Sequence, residues 1–359
     1  SGNLLTLFLF YEALTLSTYP LVTHKGDAKA LKGGRTYLGL LIATSIGLLL
    51  PAILWTWSAA GTLDFVPGGI LAGTISGTSV GILLALFMFG TGKAALMPVH
   101  YWLPAAMVAP TPVSALLHAV AVVKAGVFVV VKVIVYVFGV EFLAGETAAN
   151  WLLYAAGFTI IMASLIALRQ DNLKKRLAYS TVSQLSYVVL AAALYAPAGL
   201  IAAAIHIIGH ATGKITLFFA AGSIYTAAHK TEVSELDGIG RRMPWTMGAF
   251  AIGSLSMIGL PMTAGFISKW YLVLGALDRD SLFTLFVIVA STLLNAAYFL
   301  PIVYRAFFKP LPADNAPEHG EAPWPIVLAL TTTAALTILV FLAHGPFLDL
   351  ARMLVEMTP

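Results

Sequence analysis

The chain has no cysteine in 359 residues, which removes disulfides, thiolate metal sites, iron–sulfur ligation and thiol catalysis together. Charge is almost as scarce. Asp, Glu, Lys and Arg make up 10% of the residues against 59% hydrophobic ones, and the mean hydropathy is +0.91. No soluble domain presents such a composition to water, so this is an integral membrane protein. The net charge of +4 does not mark a nucleic-acid binder, because the basic residues fall in short loops beside apolar runs and form no basic domain. Nothing requires strands, so the expected fold class is all-α and polytopic. Ser1-Gly2-Asn3 leads straight into an apolar helix without an initiator methionine. Upstream sequence is therefore expected, and no cleavable signal peptide is visible.

Apolar runs able to cross a bilayer, at about 20 residues each, number ten: 3–22, 37–59, 76–109 with a break, 113–139, 150–168, 177–195, 197–228, 244–276 with a break, 282–308 and 324–344. The tail 346–357 is short and amphipathic and is expected at the interface. Lys and Arg collect on the cytoplasmic side of membrane proteins. Lys25, Lys29, Lys32 and Arg35 follow the first span, Arg169, Lys174, Lys175 and Arg176 the fifth, Lys230, Arg241 and Arg242 the seventh, and Arg305 and Lys309 the ninth. With ten alternating spans these thirteen share one face, and only Arg279 and Arg352 fall on the other. The asymmetry supports ten spans and puts both chain ends on the outer face, with a bacterial or archaeal plasma membrane expected.

Five lysines remain inside spans, namely Lys93, Lys124, Lys132, Lys214 and Lys269, together with Glu12 in the middle of the first. A charge at that depth is costly unless a partner or water receives it, and it is a functional-site hypothesis by default. Lys93 stands in the 34-residue apolar stretch 76–109, shortly before Pro98 and Pro104. A broken helix there would open backbone groups around the charge. Desolvation makes an ammonium easier to deprotonate and a neighbouring carboxylate reverses that, so such a set can pass charge by changing which lysine is paired. Lys132 can instead snorkel to the outer interface as a structural residue. Lys124 lies near mid-depth and reaches neither surface easily. Gly259-Leu-Pro261 breaks the eighth span ahead of Lys269. Two Pro-interrupted spans, each with a lysine, are the echo expected of repeated transporter halves.

His206, His210 and Lys214 follow at i, i+4 and i+8, which a helix sets on one face in a file about 12 Å long. Imidazole titrates near neutrality and can relay a proton through its two nitrogens. A lone histidine would more simply bond a neighbouring helix, but a file of three flanked by Gly209 and Gly213 points to transport. A metal site is disfavoured because no carboxylate accompanies the pair as in His-Glu-x-x-His. Gly90-Thr-Gly-Lys93 is not a phosphate loop, since Phe87 and Ala94 occupy the positions that would need Gly and Ser or Thr. Ser-His-Asp catalysis fails because no intramembrane Asp accompanies the histidines.

The run Gly92-Lys93-Ala-Ala-Leu-Met-Pro98-Val-His-Tyr-Trp-Leu-Pro104, followed by Ala109-Pro-Thr-Pro-Val-Ser-Ala-Leu-Leu-His118, closely resembles the signature of the antiporter-like subunits shared by respiratory complex I and Mrp-type cation/proton antiporters. So do Asn172-Leu-Lys174-Lys-Arg-Leu-Ala-Tyr179-Ser-Thr-Val-Ser-Gln184, His206-Ile-Ile-Gly-His210-Ala-Thr-Gly-Lys214 and Gly265-Phe-Ile-Ser-Lys269. The resemblance covers essentially the whole chain. It implies a fourteen-helix subunit with two inverted five-helix bundles, each holding a broken helix, joined by a hydrated polar axis at mid-membrane. Glu12 then looks like the family's glutamate and Lys93 like its partner. Lys124, Lys214 with His206 and His210, and Lys269 match the connecting, central and far-side groups. Lys174 matches a basic residue at a helix start, and His118 joins the set. On this pattern 1–139 is an incomplete first bundle, 140–308 the second, and 309–359 a last transmembrane helix with its interfacial tail. Four expected helices are missing at the start, so the chain is either a fragment or completed by another polypeptide, and it is not expected to transport alone.

Ser114-Ala-Leu-Leu-His118-Ala-Val-Ala-Val-Val-Lys124-Ala-Gly126 looks most like the Mrp D-type subunit. The expectation is a proton-translocating subunit of a Na⁺/H⁺ antiporter complex, with a membrane-arm subunit of complex I or of a membrane-bound hydrogenase as the alternative. Expected partners are other membrane subunits, the lipid bilayer, protons and, in the antiporter case, Na⁺, with no nucleic acid. No flavin, nicotinamide, haem or metal signature is present, so no cofactor and no catalytic site are expected in the chain. Two rivals are a self-contained transporter of an organic solute, which would need a polar pocket faced by helix N-termini, and a passive structural subunit whose lysines only bond adjacent helices.

Overall fold

The computed structural model describes residues 1–311 and 320–356. Residue 357 of the expected tail and 312–319 and 357–359 of the expected third segment lie outside the described residues. α1 (Leu4–Val22) begins where the Asn3 side chain accepts from the Thr6 N–H at 2.8 Å. α2 (Ala28–Thr44) begins in the same way, with Asp27 accepting from the Ala30 N–H at 2.6 Å. That cap starts the helix well before position 37, so Lys29, Lys32 and Arg35 ride on helical turns and not in a loop. A π turn at Ser45–Leu49 joins α2 to α3 (Leu50–Ala60).

α4 (Thr78–Gly90), α5 (Trp102–Ala105) and α6 (Thr111–Ala115) follow. π turns at Leu116–Val120 and Ile134–Phe138 flank α7 (Val122–Val133). After them come α8 (Val140–Gly145), α9 (Trp151–Leu168), α10 (Leu173–Ala192), α11 (Pro197–Ala228), α12 (Pro244–Ile258), α13 (Ala264–Asp278), α14 (Leu282–Phe308), α15 (Trp324–Leu342) and α16 (Gly345–Glu356). The described residues contain no strand, only isolated bridges Asn3–Asp64 and Asn172–Glu232.

Seven of the expected spans are continuous apolar helices long enough to cross a bilayer. The third and eighth are the broken ones, α4–α5 and α12–α13. The sixth, α10, is less apolar because its first turn carries Lys174, Lys175 and Arg176 and its body carries Ser180, Thr181, Ser183, Gln184 and Ser186. The polar side chains of that body are all buried against protein and none faces lipid, which is the only arrangement a hydrocarbon surround tolerates. α11 is the central post, packed against α10, α12, α13 and α15. Large apolar side chains such as Phe10, Trp57, Phe286 and Leu293 stand exposed around the periphery, as a lipid-facing surface requires. α16 lays Leu348 and Ala351 on Ile201, Ile205 and Ile267, in keeping with the expected amphipathic tail.

Candidate functional site

α4 ends earlier than its prolines demand. Thr91 turns the chain, a 3₁₀ turn spans Gly92–Ala94, and Ala95 takes a left-handed φ of 56°. The Gly92 carbonyl, which takes the Ala95 N–H at 3.0 Å, also accepts from Trp102 Nε1 at 2.8 Å, so the indole of α5 locks the gap. Gly126 of α7 lies so close that a Cβ there would collide with the Lys93–Ala94 backbone. Lys93 is fully buried at this point. Its Nζ donates to the Tyr11 carbonyl of α1 and sits 3.3 Å from the centre of the Tyr11 ring, while its backbone N–H donates to Tyr11 Oη at 3.1 Å. Glu12 is within electrostatic reach of Lys93, with the Ser45 side chain beside it, but no ion pair joins Glu12 to Lys93 among the described residues. Both carboxylate oxygens of Glu12 lack a hydrogen-bond partner among the described residues.

The remaining groups gather around α11. Lys124 Nζ of α7 lies 2.6 Å from His210 Nδ1. His210 faces His206 with ring centres 6.2 Å apart, and His206 Nδ1 meets Ser268 Oγ at 2.8 Å while its ring stacks on Tyr187 at 5.4 Å. Lys269, one residue beyond Ser268, lies 5.0 Å from the Tyr187 ring centre. Its Nζ donates to the Ile258 carbonyl at 2.7 Å and to Thr292 Oγ1 at 3.0 Å. Gly259, at φ +87°, makes the break between α12 and α13, and a Cβ there would strike the Lys269 side chain. Lys214 donates to Ser180 Oγ at 2.7 Å, and Tyr298 Oη reaches the same oxygen at 3.1 Å while bonding Asn295.

Two expected members stand apart. His118 sits in the π turn of the fourth span between the rings of Trp102 and Phe218, at 6.4 and 5.4 Å. Neither of its ring nitrogens has a partner among the described residues, though it is within electrostatic reach of Lys174, Lys214 and His210. Lys174 lies outside the buried line and donates to the Ala109 carbonyl at 2.6 Å. Lys132 is tethered near the chain start, with Nζ 3.3 Å from the Ser1 carbonyl and 4.1 Å from the Phe65 ring centre, as a snorkelling residue would be.

Sequence reasoning missed the hydroxyl and amide partners Tyr11, Ser180, Tyr187, Ser268, Thr292, Asn295 and Tyr298. A signal existed for several of them. Ser180, Ser183 or Gln184, and Tyr187 recur at helical spacing along α10, and Ser291, Asn295 and Tyr298 do so along α14, tracing polar stripes through otherwise apolar spans. Among the described residues no group of His, Asp and Glu has the makings of a metal site.

A family profile described as NADH:quinone oxidoreductase/Mrp antiporter, TM, matches residues 1–295. The chain is similar to NADH-quinone oxidoreductase subunit N of Desulforudis audaxviator, at 36% identity over 90% of this chain and 64% of that protein. It is also similar to a probable K(+)/H(+) antiporter subunit of Rhizobium meliloti, at 31% identity over 98% of this chain and 36% of that one. It therefore spans from about a third to under two thirds of the length of these curated relatives. Among solved structures, the Mrp complex of Dietzia sp. DQ12-45-1b superposes with a TM-score of 0.86 over 98% of this chain and 73% of the other, at 22% identity, a likeness of fold.

Proposed function

We propose, for a chain that belongs to the NADH:quinone oxidoreductase/Mrp antiporter transmembrane family, that it moves protons along the line Glu12, Lys93, Lys124, His210, His206 and Lys269, with Lys214 as a central branch. The observation that carries this reading is the set of buried polar atoms without partners among the described residues on that line, namely both Glu12 oxygens and Nε2 of His206 and His210. His118, with both nitrogens free, and Lys174 stand beside it as side stations. Leaving a buried polar atom unsatisfied costs about 1–3 kcal/mol. A scaffold whose lysines only held helices together would not leave such atoms on a carboxylate and two histidines beside them.

The chemistry follows from the choices open to each group. Lys93 is caught on the Tyr11 carbonyl, one residue from a carboxylate with free acceptor positions. Shifting Nζ from that carbonyl to Glu12 converts a lone ammonium into an ion pair and changes the field on the next cation. Lys124 and His210, at 2.6 Å, share one hydrogen bond and can exchange its proton. His206 passes it toward Ser268 and Lys269. The two bundles of this mechanism are 1–139 and 140–308, with 309–359 as the closing helix and tail. The chain acts inside a hetero-oligomeric complex in a bacterial or archaeal plasma membrane, with both ends on the outer face.

Exchange of protons against Na⁺ in an Mrp-type assembly is the reading we favour, because the run Ser114–Gly126, with His118 and Lys124, resembles the Mrp D-type subunit. A proton-pumping arm of complex I is the second reading, favoured by the similarity to a subunit N. Cation-driven proton movement in everted vesicles carrying the full assembly tests the first. Movement only on addition of a reduced electron donor would select the second, and unchanged movement in a Lys93→Ala variant would remove both.

A further inference from the structure

A half-enclosed cavity of about 840 Å³ lies between the start of α2, the start of α6, the start of α10, the last turns of α11 and the start of α15. Lys174 borders it, but no member of the titratable line does. Lys25, Lys29, Lys175 and Lys230 crowd its mouth, and Lys25 stands near enough to Lys174 for the two charges to act on each other. The two carboxylates of the lining are already engaged. Asp27 caps α2 at 2.6 Å, and Glu232 accepts from Asn172 at 2.9 Å and from Thr231 at 3.1 Å. Lys230 is likewise engaged, donating to the Glu235 carbonyl at 2.7 Å. Lys25, Lys29 and Lys175 are exposed, and their side chains have no hydrogen bond or ion pair among the described residues. Beneath this cationic rim the wall is apolar, formed by Phe218, Phe219, Ile326 and Ala329.

We propose that this cavity seats a phospholipid with an anionic headgroup, its phosphate on Lys25, Lys29 and Lys175 and its upper acyl chains on Phe219, Ile326 and Ala329. Charge selects the headgroup, since the free lysines outnumber the free carboxylates of the lining. The apolar wall selects a lipid over a soluble phosphate, because a free ion would leave that surface uncovered. Basic pockets between transmembrane helices are suited to such headgroups. The lipid would also bridge α15 to the start of α2, two elements far apart in the chain.

Native mass spectrometry tests this on the full chain, purified with the subunits that accompany it, stripped of lipid and titrated with phosphatidylglycerol, phosphatidylcholine or inorganic phosphate. The expected result is one retained phosphatidylglycerol, no comparable retention of phosphatidylcholine, and no displacement by inorganic phosphate. The triple variant K25Q/K29Q/K175Q should bind phosphatidylglycerol at least about tenfold more weakly. These side chains hold nothing inside the protein, so its melting temperature without added lipid should stay that of the parent. Ala329→Trp, which fills the apolar wall and leaves the charges in place, should weaken the same binding. Equal retention of the two lipids, displacement by phosphate, or undiminished binding in both variants would overturn the proposal.

Discussion

The two broken helices hold their buried lysines differently. At the first, the break satisfies itself, with the Ala95 N–H and the Trp102 indole both bonding the Gly92 carbonyl, and Lys93 reaches out of its own span to the Tyr11 carbonyl of α1. A carboxylate with free acceptor positions stands beside that carbonyl. At the second, the lysine itself satisfies the break, since Lys269 caps the Ile258 carbonyl left open at the end of α12 and adds Thr292 as a second acceptor. No carboxylate pairs with it among the described residues. A cation anchored on another helix beside an anion has a choice of seats. A cation that caps the other half of its own broken span has none of opposite charge. The first break therefore suits switching and the second suits a terminal station, from which a proton leaves and the lysine stays.

Lys93→Ala should break the comparison outright. Coupled proton movement in vesicles of the full assembly should fall by more than about a hundredfold, with the assembly still recovered intact. Gly259→Ala attacks the second site, because the added Cβ meets Lys269 at a φ of +87°. A loss of about 1–3 kcal/mol is expected, seen as a lower melting temperature, and an unaltered melting curve would mean the second break is not held by its lysine. Glu12→Gln should slow transport about tenfold while leaving Lys93 on its carbonyl, because it removes the alternative seat and not the present one. Equal transport would show that the first lysine has no choice after all. The smallest effect belongs to Thr292→Val, which takes one of two acceptors from Lys269 and should cost about 1 kcal/mol of stability with a few-fold loss of transport.

Much of the fold can be read in the chain, because hydrocarbon imposes one solution on long apolar runs. Both breaks are legible from Gly and Pro, yet the first opens at Thr91, ahead of Pro98, where a left-handed Ala95 and the packing of Gly126 decide the turn. The early start of α2 is hidden by its lysines, although Asp27 is a readable cap. At the site, the titratable residues declare themselves by being charged in the wrong solvent. Their partners do not. The Lys124–His210 contact joins residues 86 apart in sequence, and periodicity within one helix cannot say which neighbour it will meet. Charge alone would put Lys93 on Glu12, and it is found on the backbone carbonyl of the preceding residue, a group every position possesses and no sequence pattern singles out.

The π turns at Ser45–Leu49 and Leu116–Val120 have a consequence for the arithmetic of helical register. Each absorbs one surplus residue in place, whereas a regular helix carrying that residue would rotate everything beyond it by about 100°. α3 beyond the first turn, and Lys124 with the rest of α7 beyond the second, would then present other faces. Length differences of a single residue between this chain and its relatives are accordingly expected at these two points inside the membrane, with the charged residues on either side keeping their faces.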